Sequence, residues 1–155
     1  MNWHIAPLEV VDYYVRAMSF EVNLKCDKNK PYQLDLDDVE INNELMRMDY
    51  NKDRYAVILN LEIKAPKNKN TPYAIKLEMY GYFNVPKEMP EEIRDKIVKT
   101  NGTSILYGAA REIIKEMTAR GGYRPILIPT ASFAELKKEK EVTQKVTGAE
   151  GVTQN

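Results

Sequence analysis

Residues 54–64 read RYAVILNLEIK, and their alternation constrains this chain more than any other feature. Tyr55, Val57, Leu59, Leu61 and Ile63 fall on one side of an extended backbone; Asn60, Glu62 and Lys64 fall on the other. Period two is the mark of a strand with one buried face, because successive side chains leave opposite sides of the pleat. Residues 72–85 repeat the pattern, with Tyr73, Ile75, Leu77, Met79, Gly81 and Phe83 opposed to Lys76, Glu78, Tyr80 and Tyr82. The turn-rich link PKNKN at 66–70 is short, which implies antiparallel pairing.

Val10 to Val22 predicts a third, longer strand. Strict alternation puts Val11, Tyr13, Val15 and Ala17 on one face and Tyr14, Met18, Phe20 and Val22 on the other. Both faces are largely apolar, so both are expected to be covered. Residues 27–31 (DKNKP) break the chain, Val39 to Met48 reads as a weaker strand, and 49–53 (DYNKD) has hairpin-loop chemistry.

The period changes after Pro86. Pro90 to Thr100 predicts a helix with acidic residues in its first turn, which suit the positive end of its dipole. Asn101-Gly102 is expected to break it. Thr103 to Arg120 predicts a longer helix, with Ile105, Leu106, Ala109, Ile113 and Met117 at helical spacing. Gly121-Gly122 is expected to stop it through a left-handed conformation. Pro125 to Pro129 must be extended. Ser132 and Glu135 form a capping box that opens a third helix to about Glu141. Strands followed by helices define an α+β fold: a four-stranded antiparallel sheet with long strands, and C-terminal helices packed on one face. Residues 1–141 are expected to form a single domain and 142–155, poor in large apolar residues, a mobile tail.

Function classes narrow by elimination. Lys plus Arg and Asp plus Glu both number 23, so net charge is zero. Nucleic acid and anionic membranes both call for a basic excess, and neither is an expected partner. No apolar run is long enough to span a bilayer as a helix. Residues 1–11 lack a basic stretch followed by an apolar run, and the one cysteine, Cys26, suits a reducing compartment, so the expected location is the cytoplasm. His4 is the single histidine and lies near the terminus, and Cys26 has no partner for zinc. Asp35, Asp37 and Asp38 lack the glycine and distal glutamate of a calcium loop. No enzyme chemistry and no cofactor are expected. What remains is an apolar surplus, with 10 tyrosines and 7 methionines. Tyr13, Tyr14, Tyr80 and Tyr82 belong to it, and it suits either a subunit interface or adaptable binding of varied partners.

Residues 104–136, SILYGAAREIIKEMTARGGYRPILIPTASFAEL, carry a resemblance to the SecB family of export chaperones. The family pattern falls on Ala110-Arg111-Glu112, Arg120-Gly121, Tyr123, Pro125, Pro129 and Phe133. Ser19-Phe20-Glu21 and the Tyr-x-Val-x-Leu at 55–59 agree as well. The resemblance implies an ATP-independent holdase for unfolded polypeptide, cytoplasmic and homotetrameric as a dimer of dimers. Its client would be a preprotein bound for Sec export, or a dedicated one such as the antitoxin of a toxin–antitoxin–chaperone system. The alternative is a non-catalytic oligomeric scaffold that binds no unfolded client.

By the same resemblance the client groove falls on Tyr14, Val39, Ile41, Tyr73 and Ile75. An aromatic groove position falls on Asp35, with Tyr32, Leu34 or Leu36 as substitutes. The acidic patch that meets the translocase motor SecA keeps Glu21 as a possible remnant but has Ala17 and Lys76 elsewhere. Alternation along the fourth strand suggests Ile75, Leu77 and Met79 as the oligomer interface, with Leu77→Arg expected to dissociate it.

Overall fold

A computed structural model describes residues 8–133. Four strands, β1 (Glu9–Val22), β2 (Val39–Met48), β3 (Asn51–Ile63) and β4 (Tyr73–Asn84), form one antiparallel sheet in the order β1-β4-β3-β2. Helices α1 (Glu91–Ile97) and α2 (Thr103–Ala119) follow. The α+β expectation and the strand placements hold. The β2–β3 hairpin is tighter than expected, since β3 begins at Asn51. The third helix expected from Ser132 to Glu141, the tail 142–155 and His4 lie outside the described residues, apart from Ser132 and Phe133.

β1 pairs with β4, so β1 and β2 are the two edges. Residues 23–38 therefore cross the end of the sheet from one edge to the other. The crossing is pinned to the β3–β4 turn. Asn23 N–H donates to Pro72 O at 2.8 Å and Gln33 N–H to Asn70 O at 2.9 Å. The Asn70 amide donates to Asp27 O at 3.0 Å and Pro31 O at 3.1 Å. Lys69 Nζ reaches Asp35 at 2.9 Å and Asp38 at 2.7 Å.

The apolar face of β3 and β4 is the core. Tyr55, Val57, Leu59, Tyr73, Ile75, Met79 and Phe83 are all buried there, under Leu106, Ala110 and Ile114 of α2 and Ile126 and Ile128 beyond it. Asn101-Gly102 does not break the helix. Residues 98–102 form one π-helical turn that joins α1 to α2, and Gly102 is right-handed (φ −61°, ψ −44°). Glycine stands there for space: a Cβ would lie 2.9 Å from Val57 Cγ2 and 3.1 Å from the Phe83 ring. Gly81 does the same opposite Leu106, whose Cδ2 would be 2.8 Å from an added Cβ. Nor does Gly121 end α2 by turning left-handed, since no described glycine has positive φ. It passes over the Tyr73 hydroxyl, 2.5 Å from where a Cβ would be.

Candidate functional site

The edge strand β1 decides which side chains can meet. Its pairing with β4 slips between Val10 and Asp12 and again between Val15 and Ala17. Each slip admits an extra residue, and an extra residue reverses the faces of all that follow. Tyr13 pairs with Gly81 and Val15 with Met79, then Met18 with Leu77, Phe20 with Ile75 and Val22 with Tyr73. Directly opposed residues share a face. Tyr13, Val15, Met18, Phe20 and Val22 therefore all lie on the core side, in place of the two sets that strict alternation predicts. Tyr14, opposite Tyr80, lies on the other face.

The five residues expected in the client groove are thus divided. Val39 and Ile41 of β2 pair with Ile63 and Leu61 on the core side, the side that also holds Tyr73 and Ile75. Tyr14 is across the sheet from all four. Tyr73 and Ile75 are also sealed, at 0% and 1% exposure. The Tyr73 hydroxyl donates to Thr118 O at 3.1 Å and accepts from Tyr123 N–H at 3.0 Å, which locks the chain after α2 over it. Burial pushes the Tyr73 phenol above its ordinary pKa, keeping it a neutral donor. At the β2 edge of this side a half-buried strip stays accessible, made of Leu34, Val39, Ile41 and Leu45.

Ile75, Leu77 and Met79 are likewise inside the chain's own core, at 1%, 2% and 0% exposure. They alternate on one face, as expected, but α2 and the sheet already cover that face within a single chain. With these side chains interior to the single chain, Leu77→Arg is expected to disrupt folding before assembly. The longest run of uncovered apolar side chains belongs to β1, where Val10, Val11, Tyr13, Tyr14 and Val15 are all exposed. α2 packs chiefly on β3 and β4. Its own half-buried Ile105, Ala109 and Ile113 occupy the flank opposite Tyr107 and Arg111. Tyr107 and Arg111 are engaged with the chain that follows, donating to Pro129 O at 2.5 Å and Ile128 O at 2.9 Å.

No described element covers the second face of the sheet. Tyr14, Tyr80 and Tyr82 cluster there, with ring centroids 5.8 and 6.4 Å from Tyr14 to its two neighbours. Further along lie Glu21, Glu40, Glu62 and Glu78, so this face holds more carboxylates than Glu21 alone. Three of the four have a cation in reach. Arg16 meets Glu78 at 2.7 Å, Lys64 meets Glu40 at 2.8 Å and Lys76 meets Glu62 at 3.6 Å. The Lys64 ammonium beside Glu40 holds that carboxyl below the usual carboxylate range. Arg16, the residue admitted at the second slip, had no signal in the sequence. Cys26 is buried, and burial raises its thiol pKa and keeps it protonated. Among the described residues no three His, Cys, Asp or Glu side chains group to hold a metal.

A long-stranded antiparallel sheet with exposed apolar edges and one helix across its face agrees with the resemblance in the sequence. The family model for SecB, preprotein translocase subunit, matches residues 4–144. The chain belongs to the SecB family. It is a SecB-type chaperone in fold and sequence. A protein-export protein SecB from Rhodospirillum centenum is 26% identical over 149 residues, covering 94% of this chain and 86% of that one. Another from Bartonella quintana is 28% identical over 131 residues, covering 84% and 82%. Among solved structures, the chain is similar in fold to the Mycobacterium tuberculosis SecB-like chaperone, solved in complex with an antitoxin peptide. The TM-score is 0.65 at 16% identity, with 82% of this chain and 92% of that one covered. No described helix is long and apolar enough to cross a membrane.

Proposed function

We propose that this SecB-family chain is a holdase that keeps a dedicated client polypeptide unfolded, without ATP, cofactor or catalysis, in the cytoplasm. One observation carries the reading: both edge strands present apolar side chains on the core side and have no further strand paired to them among the described residues. An exposed, long, apolar edge is an aggregation hazard that monomeric proteins blunt with charge or proline. Here the two edges have different work. β1, with Tyr13 and Val15 bare on the core side, is the subunit contact of a homo-oligomer, a dimer that can pair into the expected tetramer. β2, with Leu34, Val39, Ile41 and Leu45, is the rim on which an extended client rests. Aliphatic contacts there favour extended apolar segments with no sequence readout. Tyr14 contacts client or subunit only from the opposite face.

The sheet face supports a dedicated client over delivery to SecA. Its central carboxylates Glu40, Glu62 and Glu78 are each matched by a cation, Ala17 leaves a gap in the row, and Asp12, Glu21 and Glu44 have no cation in reach among the described residues. A basic partner gains little from charges already paired. An antitoxin, the kind of client whose peptide occupies the M. tuberculosis chaperone, fits this reading. Affinity for a reduced, unfolded model polypeptide and for SecA, measured side by side, tests it. Client binding without SecA binding is the expected outcome. SecA binding would make the chain an export chaperone, and no client binding would leave an oligomeric scaffold.

A further inference from the structure

The crossing loop builds a feature that the holdase reading does not use. Lys28, Asn29, Lys30, Pro31, Tyr32 and Arg124 line a hollow of about 330 Å³ at the end of the sheet. Its walls are tied together. The Tyr32 hydroxyl accepts the Arg124 backbone N–H at 3.2 Å, and the Tyr123 hydroxyl donates to Asn23 O at 2.8 Å and Cys26 O at 3.2 Å. Tyr32 and Tyr123 meet edge-on at 6.2 Å, and Tyr123 meets buried Tyr73 edge-on at 5.9 Å. The Lys28 ammonium sits 5.3 Å from the Tyr123 ring centroid, where the aromatic face favours a cation. Among the described residues neither Lys28 nor Arg124 has a carboxylate in salt-bridge range, and Lys30 has only Asp27, at 3.9 Å. Three cationic residues thus line one small, well-anchored hollow in a chain whose net charge is zero.

We propose that this hollow is a carboxylate subsite. Lys28, Lys30 and Arg124 receive a short acidic stretch of the same client whose apolar segment lies along Leu34, Val39 and Ile41. The loop that lines the hollow runs directly into Leu34, so the two contacts lie next to each other along the chain. A continuous polyanion fits worse. Asp27, 3.9 Å from Lys30, opposes either anion, but a continuous polyanion would also have to run on past the hollow, whereas a stretch of two or three carboxylates ends within it.

The inference rests on the holdase reading, and its test separates the two. Fluorescent peptides share one apolar-aromatic stretch and carry either three aspartates or three asparagines, placed at either end. Binding is read by anisotropy for the wild-type chain and for a Lys28→Gln/Arg124→Gln double variant. For the wild type, the better-placed aspartate flank should tighten binding about three- to tenfold at low salt, as two exposed ion pairs would. High salt or the double substitution should abolish that advantage and leave the asparagine peptides unchanged. Equal affinity for both flanks, or an advantage that survives in the double variant, overturns the subsite while leaving the holdase intact. A single-stranded oligonucleotide that binds the wild type but not the double variant overturns it in favour of nucleic acid. Failure of every peptide to bind overturns both readings.

Discussion

Lys69 shows how much one side chain can hold. Its ammonium bridges Asp35 and Asp38, and so ties the entry of β2 to the β3–β4 turn. Asp38 is buried and also accepts the Asp35 backbone N–H at 3.1 Å. The Lys69 hydrogen bond, aided by that N–H, holds the Asp38 carboxyl below its ordinary value of 3.8. A carboxyl depressed in the folded state stabilises the fold fully above its unfolded value. That contribution fades as pH falls through the folded value. Asp38→Asn should therefore unfold at lower urea than the wild type at neutral pH, and the gap should narrow steadily below about pH 4. A gap that stays constant as pH falls would contradict this role for the pair. The DLDD cluster, weighed in the sequence as a possible cation site, is in this structure a clamp around a lysine.

At the scale of elements, the contact between helix and sheet rests on two missing side chains. Gly81 and Gly102 let the joined α1–α2 helix approach β3 and β4 closely enough for Leu106, Val57 and Phe83 to interlock. Gly102→Ala should destabilise the chain by about 1–3 kcal/mol, because Val57 and Phe83 are wholly buried and have nowhere to move. Gly108, in α2, is the control, since a Cβ there meets nothing within 4 Å. Gly108→Ala should stabilise by up to about 1 kcal/mol through helix propensity alone. Urea midpoints of the two variants, measured together, check both signs. An Asn-Gly pair ordinarily reads as a helix stop. Here the demand for close packing sets the residue, and a π-helical turn absorbs the geometry.

For the whole molecule, the two edges set what the chain can do. Tyr13 and Val15 stand on the core side of β1, at 46% and 39% exposure. A Tyr13→Lys/Val15→Lys double variant should elute as a smaller species with its circular dichroism intact, since neither side chain supports the chain's own core. Light scattering coupled to size exclusion would show the change in mass. An unchanged mass would place the subunit contact elsewhere. Leu77→Arg should behave differently, giving misfolded protein in place of folded monomers, because its partners are Met18, Leu61 and the rest of the core.

Local pattern determined much of this protein. Alternation at 54–64 and 72–85 specified two strands and their buried face, and the helical spacing from Ile105 to Met117 specified α2, because side-chain period follows directly from backbone geometry. The motif from Ala110 to Phe133 was enough to suggest the family. Tertiary structure alone decided how these parts face one another. The slips in β1 depend on its pairing with β4, which no window of sequence contains, and they moved Tyr14 across the sheet from Tyr73 and Ile75. Whether an apolar strand face meets the chain's own helix or the outside depends on where that helix lies. For that reason Leu77 and Met79 proved to be core, while Tyr13 and Val15 of the edge strand remained bare.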